Sequence, residues 1–197
     1  MLEQLQFRLR RSGQFARRLI HTRGNQQQIR KNILWDLFDI CNRFLRSLDA
    51  DYWVNYGTLL GFYRKQDLIP HDIDIDFGCR KCHYREILQN ADRLGPDVTL
   101  HDTSARHYGP KLYLNYKGFD ADIYFYDHTG GQLISYENTE WPNYRAPIPE
   151  EYVFPTRRYE IKGYYTRVPA DTEQYLRTIY GNLSEHAKRN EDTGYWE

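Results

Sequence analysis

Three carboxylates recur at every second position in Ile69-Pro70-His71-Asp72-Ile73-Asp74-Ile75-Asp76-Phe77. Alternation of acidic and apolar residues is the period of a strand with one wet face and one buried face. On such a strand Asp72, Asp74 and Asp76 line one face, with neighbouring side chains roughly 7 Å apart. Like charges that close raise one another's pKa unless cations sit between them. A hard divalent ion, Mg²⁺ or Mn²⁺, takes carboxylate oxygens and completes its shell with water and substrate phosphate. The segment therefore reads as half of a metal–phosphate site. A solvated edge strand is the plain alternative, but Asp is a poor strand former and three on one face need a reason.

Just upstream, Asn55-Tyr56-Gly57-Thr58-Leu59-Leu60-Gly61 places two glycines around a hydroxyl, and Phe62-Tyr63-Arg64-Lys65 follows. A Gly57-Thr58 turn opening a helix offers backbone N–H groups and a hydroxyl to a phosphate, and Arg64 adds a cation able to grip it bidentately. Taken alone this turn is a weak signal. Downstream, Lys111–Tyr116 and Phe119–Tyr126 are two strand-like runs joined by Lys117-Gly118, a two-residue hairpin signal. Asp120 and Asp122 share a face of the second run. Asp122 is the better third carboxylate, because it enters the apolar run where an uncompensated charge costs most, and Asp120 is the fallback. Lys111 leads into the hairpin as a candidate phosphate-binding cation.

The order G-T-L-L-G-x-x-R, I-P-x-D-x-D-x-D and D-I-Y-F resembles the LicD/fukutin family of the nucleotidyltransferase-fold superfamily. Phe154-Pro155, Val168-Pro169-Ala170-Asp171 and Tyr175–Gly181 resemble that family's usual ending, so the likeness spans about residues 30–183. Two departures are His71, where the family often has Trp, and Ile73, where it often has a further acid. The resemblance implies that Asp74, Asp76 and Asp122 hold metal and carry catalysis. It also implies that Gly57 and Thr58 handle the substrate phosphate with Arg64 nearby, and Asp72 and Lys111 are further candidate substrate contacts from their places beside these residues. The implied reaction moves a phospho-alcohol such as phosphocholine or ribitol phosphate from a CDP-activated donor to a sugar hydroxyl of a glycan, releasing CMP.

The elements that must position these residues are mostly visible. From Gln26 to Leu48 apolar residues recur at helical spacing, and shorter helices are expected over residues 84–94 and 172–183. The fold class expected is α+β: one nucleotidyltransferase-like domain over residues 1–197, with a short mixed sheet flanked by helices. Residues 130–169 lack periodicity and read as an irregular insert whose Arg157, Arg158 and tyrosines can contact substrate.

A net formal charge of zero gives no general reason to expect nucleic acid. The first 31 residues carry seven Arg and one Lys against Glu3, and Leu2, Leu5, Leu9, Phe15, Leu19 and Ile20 give them an apolar stripe. Residues 1–30 thus read as a basic helical extension, and residues 1–24 as able to lie on an anionic membrane surface. That start has no unbroken apolar stretch of signal-peptide length, and no run approaches the ~20 apolar residues of a transmembrane helix. A cytoplasmic protein, peripheral at the inner face of the membrane, is the expectation.

Cys79-Arg80-Lys81-Cys82-His83 imitates a haem-attachment or zinc half-site, but no second pair of ligands has suitable spacing. The competing functions are a nucleotidyl- or glycosyltransferase and a non-catalytic relic. Glycosyltransferases of the D-x-D type place a larger nucleotide-binding half before the motif than the roughly seventy residues present here. A relic would have lost a carboxylate or the Gly-Thr turn, and both are intact.

Overall fold

The computed structural model describes residues 25–142 and 145–197. Residues 1–24 of the basic extension, to which the membrane contact is assigned, lie outside the described residues. Among the described residues no helix is long and apolar enough to cross a membrane.

The long periodic stretch forms α1 (Asn25–Ser47). Its Leu34, Leu37, Phe38, Cys41 and Leu45 are buried, as the spacing requires. Next come β1 (Tyr52–Val54), α2 (Tyr56–Lys65) and β2 (Asp74–Arg80), then α3 (Tyr84–Gln89) and β3 (Val98–Asp102). The hairpin β4 (Lys111–Tyr116) and β5 (Phe119–Thr129) follows. Lys117 and Gly118 adopt φ of 51° and 83°, the left-handed pair that suits a two-residue turn between twisted strands. Residues 84–94 are less helical than expected, with α3 giving way to a 3₁₀ turn at Ala91–Arg93.

Seven strands among the described residues make a mixed sheet whose main path is β1-β2-β5-β4-β3. The pair β2–β5 is parallel, while β1–β2, β4–β5 and β3–β4 are antiparallel. One face of β2 and β5, with Ile75, Phe77, Ala121 and Ile123, is buried beneath α1. There Phe38 stacks on Phe77 at 5.6 Å and Trp35 on Phe62 of α2 at 5.7 Å. Each such aromatic contributes about 1.5–3 kcal/mol by burial. The α+β class with a helix-flanked mixed sheet is what the sequence pattern called for.

Two local expectations change. Asp72 was expected on the acidic strand, but β2 begins only at Asp74. Before it the chain turns at Pro70, with the Asp72 amide donating to the Ile69 carbonyl at 3.0 Å. Proline has no amide to give a ladder, so the strand period cannot reach back through this turn. Residues 130–169 are also far from irregular. They hold β6 (Gln132–Ile134), α4 (Tyr136–Glu140), β7 (Ile148–Pro149), α5 (Glu150–Val153) and the separate hairpin β8 (Arg157–Ile161)–β9 (Tyr164–Val168). The helix α6 (Thr172–Tyr180) closes the arrangement, capped by the Asp171 side chain accepting from the Gln174 amide.

Candidate active site

The parallel pairing of β2 with β5 sets Asp74 opposite Asp120 and Asp76 opposite Asp122. Paired residues in adjacent strands share a face. The two D-x-D runs therefore place four carboxylates as a two-by-two block on the face away from α1. Asp76 is 8 % exposed. Burial, then the Asp74 and Asp122 charges, push its carboxyl well above the ordinary range, and Lys111 pulls the other way. Asp120 is raised chiefly by burial, and Asn115 Nδ2 donates to its Oδ1 at 2.6 Å.

Asp122 is engaged from β4 and from its own strand. Lys111 Nζ lies 3.2 Å from Asp122 Oδ2, and the Tyr124 hydroxyl donates to the same oxygen at 3.3 Å. Lys111 also sits 4.5 Å above the Tyr124 ring. A lysine, a tyrosine and a carboxylate thus fix one another at the edge of the block.

The Gly-Thr turn opens α2 beside the carboxylates. The Asn55 side chain accepts from the Tyr56 amide at 2.8 Å, and the Asn55 backbone N–H donates to the Asp76 carbonyl at 2.9 Å. Tyr56 has φ of 39°, and Gly57 follows, a left-handed step of the kind that turns successive N–H groups toward an anion. Thr58, 1 % exposed, accepts the Asp76 amide on Oγ1 at 2.9 Å. Its hydroxyl therefore positions a carboxylate strand as well as a helix start. Thr58→Val should leave that buried amide unpaired and cost about 1–3 kcal/mol, read as a lowered urea midpoint.

The two glycines of the motif have different reasons. A Cβ at Gly57 would stand 3.2 Å from Asp72 Oδ2, so Asp72 lies against the helix start even though it is off the strand. Burial raises its carboxyl to about 6, opposed by Arg30. A Cβ at Gly61 would come within 2.5 Å of the Asp67 carbonyl oxygen. That glycine lets the return loop fold tightly onto α2. Arg64 is turned elsewhere, its guanidinium donating to the Leu183 and Ser184 carbonyls, both at 2.9 Å, and lying 5.1 Å over Trp196.

Sequence reasoning missed a buried layer beneath the turn. The Tyr56 hydroxyl hydrogen-bonds Glu137 of α4, and Arg145 Nε lies 3.7 Å from the other Glu137 oxygen. Burial raises the Glu137 carboxyl despite both partners. Tyr175 donates to Asn55 Oδ1 at 2.5 Å and accepts from Trp53 Nε1 at 2.8 Å. The period of β5 would have revealed Tyr124, two residues from Asp122. No local pattern announces Glu137, eighty-one residues from Tyr56.

A divalent ion suits this donor set. The donors are hard oxygens, their negative charge exceeds the nearby positive charge, and their mutual repulsion is relieved by a cation. Among the described residues no three such side chains already stand in metal-holding geometry, and Lys111 occupies one oxygen of Asp122.

Residues 49–171 match the family described as LicD/FKTN/FKRP, nucleotidyltransferase domain. The chain belongs to that family. The matched span is more than half of its length and contains every candidate residue of both D-x-D strands and of the Gly-Thr turn. An uncharacterised protein of Rickettsia typhi is 24 % identical over 157 residues, which cover 78 % of this LicD-family chain and 47 % of that protein. The mouse ribitol-5-phosphate transferase FKTN is 26 % identical over 163 residues, 74 % of this chain and 32 % of the mouse protein. The chain thus spans about half and about a third of these relatives. A solved lincosamide antibiotic adenylyltransferase with lincomycin bound aligns at 14 % identity and a TM-score of 0.43, over 76 % of this chain and 87 % of that one. That likeness is too distant to carry an argument.

Proposed function

We propose that this chain transfers a phospho-alcohol group from a CDP-activated donor to a sugar hydroxyl of a glycan, releasing CMP. The observation that carries the reading is the β2–β5 register, which gathers the carboxylates on one face beside the Gly57-Thr58 helix start. Membership of the LicD/FKTN/FKRP family supports transferase chemistry, and the name of the mouse relative supports a phospho-alcohol as the group moved.

Asp74, Asp76 and Asp122 would hold Mg²⁺ or Mn²⁺, which when bound neutralises phosphate charge and favours displacement at phosphorus. The amides of Gly57 and Thr58, at the positive end of α2, would receive the donor phosphate. Lys111 would exchange its contact with Asp122 for one with the incoming phosphate, freeing the carboxylate for the ion. An acceptor hydroxyl brought against the block would pass its proton to one of these carboxylates, with Asp122 the best placed. Catalysis of this kind rests on positioning and charge neutralisation more than on covalent chemistry by the protein.

Calorimetric titration of CMP, CDP-choline, CDP-ribitol, CDP-glycerol, a UDP-sugar and ATP, with and without Mg²⁺ or Mn²⁺, tests the reading. Metal-dependent preference for one CDP-alcohol is expected, and it names the donor. Preference for ATP or a UDP-sugar would replace the reading with nucleotidyl or glycosyl transfer. No nucleotide binding with either metal would make the chain a binding relic.

A further inference from the structure

A polar cavity lies at the other end of β2. It measures about 360 Å³ and is lined by Arg46 and Asp49 after α1, by Tyr52 of β1, and by Arg158, Thr166 and Arg167 of the β8–β9 hairpin. Tyr52 pairs with Cys79, and Cys79 shares a sheet face with Phe77, opposite Asp76. The cavity is thus separated from the carboxylate block both along the strand and through the sheet.

Its charges are unusual. Arg158 and Arg167 stand directly opposite each other in the hairpin register. Like charges directly opposed across strands are destabilising without a counter-ion. Arg46 closes the third side, its guanidinium reaching the Tyr165 carbonyl at 3.5 Å. Arg167 reaches Thr156 Oγ1 at 3.4 Å, and Arg158 lies 4.0 Å over the Tyr165 ring. None of the three forms a salt bridge among the described residues.

The lining also contains a buried hydroxyl. Thr166 is 2 % exposed, and its hydroxyl lies within hydrogen-bonding reach of the Tyr52 hydroxyl. That tyrosine gives its own proton to Asn42 Oδ1 at 2.6 Å. Three guanidinium groups suit a phosphate, which they can grip bidentately. Asp49, an acceptor on the same wall, suits hydroxyl groups beyond that phosphate. The volume is at the small end of those that hold small-molecule ligands.

We propose that this cavity binds a small phosphate ester bearing hydroxyl groups, of the sugar- or polyol-phosphate class, independently of the carboxylate block. The phosphate sits among Arg46, Arg158 and Arg167, and the hydroxyls face Asp49. The same chemistry is offered by a free polyol phosphate and by a phosphoglycerol lipid headgroup.

The test is titration of the full chain with glycerol 3-phosphate and glucose 6-phosphate by calorimetry, with glucose as the uncharged control. Saturable binding of at least one ester, weakened at least about tenfold in R158Q/R167Q and unchanged in D74N, is expected. Both arginines are on the exposed side of the hairpin, so the fold should survive. If circular dichroism shows otherwise, R46Q on α1 serves for the same comparison. Binding that these changes leave untouched, or no saturable binding of either ester, overturns the proposal. Sedimentation with phosphatidylglycerol and phosphatidylcholine vesicles then separates the sources. Phosphatidylglycerol binding that R158Q/R167Q abolishes assigns the headgroup, and its absence beside soluble-ester binding assigns the free ester.

Discussion

Asp76→Asn should give a protein that is inactive and, without divalent metal, more stable than the parent. The Asp76 carboxyl is buried, and its proton affinity is raised by that burial and by Asp74 and Asp122. A carboxyl whose folded-state pKa lies above its unfolded value holds its proton more tightly in the native protein. Metal-free stability therefore falls as pH rises above the ordinary carboxylate range. An amide of the same shape carries no charge to desolvate or repel, and it can donate to the neighbouring carboxylates. A gain on the order of 1–2 kcal/mol is expected at pH 7.5, or roughly 2–8 °C in Tm by scanning calorimetry. Transferase turnover should fall by at least about 10²–10³-fold, the scale on which a preorganised electrostatic contact is lost. Added Mg²⁺ should raise the Tm of the parent and leave the variant unmoved. A variant that unfolds more readily than the metal-free parent would make Asp76 a structural residue.

That opposition between stability and activity explains which parts of the site could be read in advance. Asp74, Asp76 and Asp122 stand out because their residue type contradicts their strand position, and such conflicts mark functional sites. The helix α1 and the β4–β5 hairpin were legible because their signals are local: a period of 3.6 and a Lys-Gly turn. The β8–β9 hairpin carries the same dipeptide, Lys162-Gly163, with φ of 49° and 83°. It was missed because its flanking residues, Arg-Arg-Tyr-Glu-Ile and Tyr-Tyr-Thr-Arg-Val, do not alternate cleanly. Asp72 was placed on the strand because the acidic period runs through it, while the turn at Pro70 stops the strand short. Arg64 was read as a phosphate contact from proximity along the chain, yet its hydrogen bonds go to carbonyls about 120 residues away. The same holds for Glu137 beneath Tyr56. Pairing in the sheet is foretold by pattern, whereas buried polar contacts between distant elements are fixed only by packing.

Gly78→Ala should be strongly destabilising. A Cβ at this position would meet Trp53 Cε2 at 2.3 Å, Cζ2 at 2.5 Å and Nε1 at 2.6 Å. The indole has nowhere to go. Its Nε1 donates to Tyr175, its ring lies 5.1 Å from Tyr126 and 5.6 Å from Phe154, and its side chain is wholly buried. Overpacking a fixed ring inside a sheet costs about 3 kcal/mol or more, read here as a fall in the urea midpoint. The injury reaches the site by a stated route. Trp53 holds the Tyr175 hydroxyl, Tyr175 holds Asn55, and Asn55 caps the helix that presents Gly57 and Thr58. Folded molecules of the variant should therefore also bind nucleotide more weakly than the parent. If the clash is the cause, the double variant G78A/W53L loses less stability than the two single losses added, because Leu ends at Cδ and withdraws all three atoms that the new methyl meets. Stability losses that simply add in the double variant would show that Gly78 is required for the strand itself, and that the indole is not its constraint.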